Sequence, residues 1–148
     1  MCYCVNAQVA TQSLLNIYAI AHLRNNKMRT QGVLYDKSKA FAIEVIALCD
    51  NLREKGEYVM SKQVLRSGTS VGANYCEALG AESPSDFIHK LSISLKEANE
   101  TYFWLDILHT SSYLDDTQFE TMTTHLKEIY KMLNSASITV KKRNNLIQ

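Results

Sequence analysis

The chain has 148 residues, of which 46% are hydrophobic and 21% charged, and its formal net charge is +1. This length supports one domain with a sizeable core but would be cramped for two, and the balanced charge argues against an obviously basic nucleic-acid-binding protein. Only five glycines and one proline are present, about a third of the average share. A β-sandwich or barrel needs a turn signal roughly every 8–12 residues. The composition therefore excludes an all-β architecture.

Residues 1–27 contain an apolar run from Leu14 to Leu23 and no acidic residue. The run has about half the length of a membrane span, and no basic residue precedes it as in a secretory signal. We therefore predict no membrane association. Two interpretations of residues 1–27 stay open: an extra N-terminal helix, or a disordered leader that an early start codon includes. We favour the leader and place the folded domain at 28–148, which carries a net charge of −1.

Four segments from Asp36 onward have the 3–4 spacing of apolar residues that is typical of amphipathic helices. The first runs from about Asp36 to Lys55 and the second from about Val59 to Gly80. The middle of the second segment is poor in helix formers, since Gly68 and Gly72 each cost about 1 kcal/mol relative to alanine. We therefore predict a kink or a local irregularity there, with a tight helix crossing at these small residues.

The third predicted helix has the clearest start, because Ser83 suits the N-cap, Pro84 the first helical position and Asp86 the third. It should end near His109, and a fourth helix should begin at Asp115 or Asp116 and run to about residue 143. Short connections force neighbouring helices to run antiparallel. The predicted fold is an all-α, antiparallel up-down-up-down four-helix bundle.

Each predicted helix has one apolar stripe that should face the core of the bundle. The stripes consist of Phe41, Val45, Leu48 and Leu52; Val64, Gly68, Val71, Tyr75 and Leu79; Ile88, Leu91, Leu95, Ala98, Tyr102 and Leu105; and Phe119, Met122, Leu126, Ile129, Leu133, Ala136 and Val140.

The segment from Gln63 to Leu108 carries several linked motifs. A Q-x-x-R-S-x-x-S-V-x-x-N run ends at Asn74, Glu77 follows it, and an S-x-x-D-F sequence opens the third helix. Together with KEANETYFWL at Lys96–Leu105, these motifs resemble the four-helix-bundle family of proteins encoded in intervening sequences of bacterial 23S rRNA, sometimes labelled "S23". The resemblance covers about residues 35–143.

The sequence departs from the commonest pattern of that family in two places. Residues 74–78 read N-Y-C-E-A where many members have N-I-A-E-G, and Lys96-Glu97 replaces a glycine-serine step. Both departures predict that local packing differs from that of most members.

The resemblance implies ring-like homo-oligomers, with a pentamer as the expected state, and a molecular function that is largely undefined. A related branch of basic bundle proteins accompanies the reverse transcriptase of diversity-generating retroelements and binds RNA. The resemblance thus implies a structural or RNA-associated accessory protein. The alternative is a protein–protein adaptor with no nucleic-acid role. The four cysteines form no disulfide framework, which favours the cytoplasm.

Three contiguous aromatic residues, Tyr102, Phe103 and Trp104, must point in three directions on a helix, so at least one should be exposed or lie in a subunit interface. Asn74 and Glu77 have two open interpretations: buried groups that bridge a kinked helix, or groups that specify subunit register. The residues predicted to have an assembly or structural role are Asn74, Glu77, Glu100, Tyr102, Phe103 and Trp104.

Basic residues on three of the helices are candidates for nucleic-acid contact, and five copies in a ring would multiply a weak patch through avidity. The alternative is that they only keep the surface solvated. The candidate residues are Lys37, Lys39, Lys62, Arg66, Lys141, Lys142 and Arg143.

Motifs for catalysis or metal binding are not found in the sequence. Carboxylate-bridged di-iron bundles use Glu-x-x-His, which does not occur here, and the four histidines have no Ser/Asp partner arrangement. We therefore predict a non-enzymatic protein without a metal or cofactor.

Overall fold

The computed structural model describes residues 32–145, and the alternatives for residues 1–27 lie outside this range. The described residues form four α-helices: α1 (Val33–Glu54), α2 (Val59–Leu79), α3 (Pro84–Thr110) and α4 (Asp116–Arg143). Each helix packs against its neighbours in the chain, and α1 also packs against α4. The predicted all-α four-helix bundle is confirmed. No helix within residues 32–145 has an apolar stretch long enough to cross a membrane.

The start of α1 lies three residues before the predicted position. Gly32 is the N-cap in an extended conformation and makes no side-chain cap; its carbonyl accepts hydrogen bonds from the amides of Tyr35 and Asp36. Because glycine offers no capping oxygen, the sequence carries no side-chain signal for this helix start.

The caps of α3 and α4 have the predicted residues. Ser83 Oγ accepts from the Asp86 amide at 3.1 Å. The Asp86 carboxylate accepts from the amide of Glu82 at 3.3 Å, and not from the amide of the N-cap residue Ser83 as in a capping box. Asp115, and not Asp116, caps α4: its Oδ1 accepts from the Gln118 amide at 2.8 Å, and Gln118 completes the capping box. Two orphan amides are thereby satisfied at the start of α4.

The α1–α2 connection turns at Gly56, whose φ of +79° lies in the left-handed region that glycine tolerates. The next residue, Glu57, caps α2 with its carboxylate, which accepts from the amides of Val59 and Met60 at 2.9 and 2.8 Å. The sequence does not predict this cap, because glutamate is not among the preferred N-cap residues.

The crossing of α1 and α2 depends on two glycines. A Cβ at Gly68 would lie 2.8 Å from a Val45 methyl carbon, and one at Gly72 would lie 3.3 Å from the Ser38 Cβ. α2 continues as one helix through both positions, and the predicted tight helix crossing at these small residues is observed. The glycines serve the close approach of two backbones, which offsets their low helix propensity.

The α1–α2 contact is also fixed by a reciprocal pair of hydrogen bonds. The Cys49 thiol donates to the Ser61 carbonyl at 3.2 Å, and the Ser61 hydroxyl donates to the Cys49 carbonyl at 3.2 Å. Burial raises the pKa of the Cys49 thiol. Cys49 therefore serves as a small core residue with a satisfied donor.

The core contains most of the predicted stripes, but small polar residues take some of their places. Ser94 donates to the Val71 carbonyl at 2.7 Å, and Thr101 donates to the Glu97 carbonyl at 2.7 Å, so both hydroxyls are buried without loss of hydrogen bonding. Residues predicted in the stripes that are instead half-buried or exposed are Tyr75, Leu79, Ile88, Leu95, Tyr102, Phe119, Ala136 and Val140. Apolar spacing identified the faces but missed the buried hydroxyls.

Candidate assembly surface

An ion pair joins α2 to α3 on the outer side of the bundle, and an indole of α3 shares its carboxylate. Arg66 pairs with the Glu100 carboxylate, and the Trp104 indole N–H donates to the same carboxylate oxygen at 3.4 Å. Trp104 is half-buried against the core. Phe103 meets it edge-on, with ring centroids 5.3 Å apart, and is 56% exposed. The sequence-predicted residues Glu100, Phe103 and Trp104 therefore lie together.

Two further apolar side chains lie on the same side of the bundle. The Arg66–Glu100 pair places these residues at the same level on antiparallel helices. Val59 is two turns before Arg66, and Ile107 is two turns after Glu100. Because the helices are antiparallel, Val59 and Ile107 lie level with each other, on the same faces as Arg66 and Glu100. Val59 is 72% exposed and Ile107 is half-buried. We refer to Val59, Phe103, Trp104 and Ile107 as the aromatic surface.

Tyr102 points away from the aromatic surface, toward α4. Its ring lies 6.4 Å from that of Phe119, and Lys127 Nζ lies 5.6 Å from the tyrosine ring centroid. Phe119 also stacks on His109 at 4.3 Å between centroids. Tyr102 thus belongs to a cluster that joins α3 to α4, and the three contiguous aromatics do have different surroundings.

Asn74 and Glu77 lie apart from the aromatic surface. Asn74 Nδ2 donates to the Ser70 carbonyl at 2.8 Å, within its own helix. Glu77 is exposed and pairs with Lys90 of α3 at 2.5 Å, and this carboxylate raises the pKa of Lys90. Lys90 lies ten residues before Glu100, which is about 15 Å along the helix axis. Within the chain, Asn74 acts locally and Glu77 links two helices.

The seven candidate nucleic-acid residues do not form one patch. Lys37 pairs with Glu128 at 2.7 Å, which lowers the pKa of that glutamate. Lys141 follows thirteen residues after Glu128, about 20 Å further along α4. Lys62 and Arg66 lie in the first half of α2, toward the other end of the bundle. The basic residues therefore occupy three separate places, and Lys37 and Arg66 are already in ion pairs.

A groove runs along the α1–α4 contact, the least extensive of the four neighbouring helix contacts. A cavity of about 460 Å³ lies between the C-terminal half of α1 and the start of α4, and a smaller one of about 120 Å³ follows along the same contact. A third cavity of about 550 Å³ lies against α4, between Leu34 of α1 and Phe87 of α3. We refer to the 460 Å³ cavity as the α1/α4 groove. It is lined by Glu44, Ala47, Leu48, Asn51, Leu114, Thr117, Gln118, Thr121 and Met122.

Polar side chains join α1 to α4 at the edge of the α1/α4 groove and beyond it. His125 Nδ1 lies 2.9 Å from Glu44 Oε2, and the Lys37–Glu128 pair joins the same two helices. The sequence does not predict this groove, although Ala47 and Thr121 are small residues on the edges of the predicted stripes. In the part of the chain that the structure describes, no three His, Cys, Asp or Glu side chains come together as a metal site.

Comparison with known proteins agrees with the observed bundle. A crystal structure of a protein of unknown function from the S23 ribosomal protein family of Bacteroides thetaiotaomicron is 49% identical to this chain, with a TM-score of 0.70. The similarity covers 71% of this chain and 98% of that one. No curated protein matches. The family model for 23S rRNA-intervening sequence proteins matches residues 31–135, and the chain therefore belongs to the 23S rRNA-intervening sequence protein family.

Proposed function

We propose that the protein is a non-enzymatic scaffold of the cytoplasm that works as a homo-oligomer, with a pentamer as the expected state. The observation that carries this proposal is the aromatic surface. Val59 and Phe103 leave most of their side chains in water on the same side of the bundle, and exposed apolar residues that share one surface commonly mark an interaction site. Burying a phenylalanine contributes about 1.5–3 kcal/mol, and aromatic residues are enriched in subunit interfaces.

The contacts of His109 and His125 support a non-catalytic role for these two histidines. His109 lies 2.8 Å from Asp116 and stacks on Phe119, which joins α3 to α4. His125 lies beside Glu44 and joins α1 to α4. Both imidazoles are thus engaged between helices, in contacts that serve the bundle itself.

The assembly proposal is tested by light scattering on the full-length protein. We expect several times the protomer mass for the wild type, and at least a tenfold weaker association for Phe103→Ala, because truncating a central interface aromatic typically costs more than 1 kcal/mol. Ile138→Ala is the matched control, since Ile138 is 40% exposed on α4 and lies outside the aromatic surface. A wild-type protein that stays monomeric at all concentrations would refute the proposal.

Association with RNA is the second part of the proposal, and the end of α4 favours it. Lys141, Lys142 and Arg143 form its last turn, and none of the three has an ion-pair partner among residues 32–145. A ring would repeat this cationic turn in every subunit and raise its effective affinity for a polyanion.

The RNA proposal predicts retention on a structured RNA at low salt, with an affinity that falls steeply as salt rises, because phosphate contacts release counterions. Replacing Lys141, Lys142 and Arg143 together by alanine should reduce both the affinity and the salt slope, whereas Lys131→Ala, one lysine on the same helix, should change them little. If the wild-type protein is not retained at low salt, the RNA role is wrong and a protein–protein adaptor becomes the better description.

A further inference from the structure

We propose that the α1/α4 groove of one copy receives the aromatic surface of the next copy, so that the subunits join head to tail. This inference rests on the proposed assembly and names the two surfaces that meet. It assigns a binding role to Ala47, Leu48 and Met122, and it makes Phe103 the side chain that enters the groove.

The arrangement of the helices places the two surfaces on different sides of each subunit. The aromatic surface belongs to α2 and α3, whereas the groove lies between α1 and α4, and α1 packs against α2 as α4 packs against α3. The two surfaces therefore share no helix. A subunit can use both at once, with one neighbour on each side.

The groove has the size and the lining that an aromatic side chain requires. Its volume of about 460 Å³ falls within the range of about 300–1,000 Å³ that is typical of ligand pockets. Leu48, Leu114 and Met122 provide an apolar floor, and Ala47 at its edge is small enough to admit a neighbouring helix. The exposed phenyl ring of Phe103 would thereby leave water for an apolar cavity.

The exposed charged side chains around the aromatic surface are mostly cationic, with Asp106, one turn after Phe103, as the one exposed acid without an ion-pair partner among the described residues. Lys96 is two turns before Phe103 on the same face of α3, and Lys62 is level with Trp104, since these residues lie four positions from Arg66 and Glu100 respectively. Both lysines are exposed and have no ion-pair partner in the described part of the chain.

The exposed charged side chains around the groove are mostly anionic. Glu44 lines it, and Glu54 and Glu120 are one turn from the lining residues Asn51 and Thr117. Both of these glutamates are exposed, and neither has an ion-pair partner within residues 32–145. Lys55, one turn after Asn51, is exposed as well. Among the exposed residues without an ion pair, two cations and one acid lie around the aromatic surface, and two acids and one cation lie around the groove. This opposite balance favours contact between the two surfaces over contact of either surface with itself.

The symmetry of such a contact explains why a ring is the expected assembly. A contact between two different surfaces is heterologous, and it closes into a ring when the rotation between copies divides a full turn. Every copy then has its aromatic surface covered and its groove filled, whereas an open chain leaves one of each exposed. A contact of the aromatic surface with itself would instead stop at a dimer.

The test uses two full-length variants that each destroy one surface. Phe103→Glu places a carboxylate at the tip of the aromatic surface, and Ala47→Arg fills the groove with a bulky cation. Both positions are exposed, so the far-UV circular dichroism should stay that of the wild type. Each variant alone should associate at least tenfold more weakly than the wild type. Light scattering should therefore show a monomer at concentrations where the wild type assembles. Asn134→Arg, at an exposed position on α4 away from the groove, is the control and should assemble normally.

Mixing the two variants separates the alternatives. The Phe103→Glu protein keeps an intact groove and the Ala47→Arg protein keeps an intact aromatic surface, so one contact can form and a 1:1 heterodimer should appear. If Ala47→Arg alone assembles like the wild type, or if the mixture stays monomeric while the wild type assembles, the groove is not the partner surface. If the wild type itself is monomeric, the proposed homo-oligomer is wrong. Failure of the homo-oligomer proposal is thus distinguishable from failure of the groove contact alone.

Discussion

Replacing Gly68 with leucine should lower the free energy of unfolding by about 3 kcal/mol, at the upper end of the usual cost of overpacking. The Cβ alone would lie 2.8 and 2.9 Å from the two methyl carbons of Val45. Val45 is completely buried, and a valine in a helix has essentially one rotamer. The methyl groups cannot move aside, so α1 and α2 must separate.

The measurement is urea unfolding followed by circular dichroism at one fixed protein concentration, because assembly would otherwise contribute to the apparent stability. Ala73→Leu is the matched control, since Ala73 is exposed on the same helix and should change the stability by less than about 0.5 kcal/mol. The double variant Gly68→Ala/Val45→Ala should be more stable than the sum of its single variants indicates. Removing the Val45 methyl groups makes room for the Cβ added at position 68, and that Cβ fills part of the space they leave. Equal effects at Gly68 and Ala73 would contradict the close approach of the helices.

The second large effect is expected at the centre of the core. Phe41→Ala should lower the free energy of unfolding by about 3–5 kcal/mol, through lost burial and the cavity that remains. Phe41 is 1% exposed and lines the same small cavity as Ile129 of α4. Because the α1–α4 contact is the least extensive one between neighbouring helices, few other side chains can compensate for its loss.

Thermal and urea unfolding of Phe41→Ala are compared with those of Ile43→Ala, which removes an apolar side chain from the same helix at a position that is 57% exposed. Ile43→Ala should cost less than about 1 kcal/mol, because little apolar area returns to water. Similar losses at both positions would mean that Phe41 is not the residue that holds α1 against α4.

Part of the candidate site could be predicted from residue order alone. Contiguous aromatics cannot all face one core, so their order in the sequence is enough to single out Tyr102, Phe103 and Trp104. Val59 has no such signal, because a single valine at a helix start has no periodic partner in its own segment. The sequence places Arg66 among the nucleic-acid candidates, whereas the structure pairs it with Glu100, 34 residues away.

The sequence by itself determined the number of helices, most of their ends and the central residues of each apolar stripe. These depend on caps, turn residues and 3–4 spacing, which involve only a few neighbouring residues. Phe41, Val45, Leu48 and Leu52 are all buried as predicted.

Only the tertiary structure decided which helices meet and at what level. The Lys37–Glu128 and Glu44–His125 pairs join residues 91 and 81 positions apart, and the α1/α4 groove lies between the first and the last of the four described helices. Such contacts depend on the rotation and axial shift of each helix against its neighbours. Those quantities are set by the packing of all four helices at once, and no local pattern encodes them.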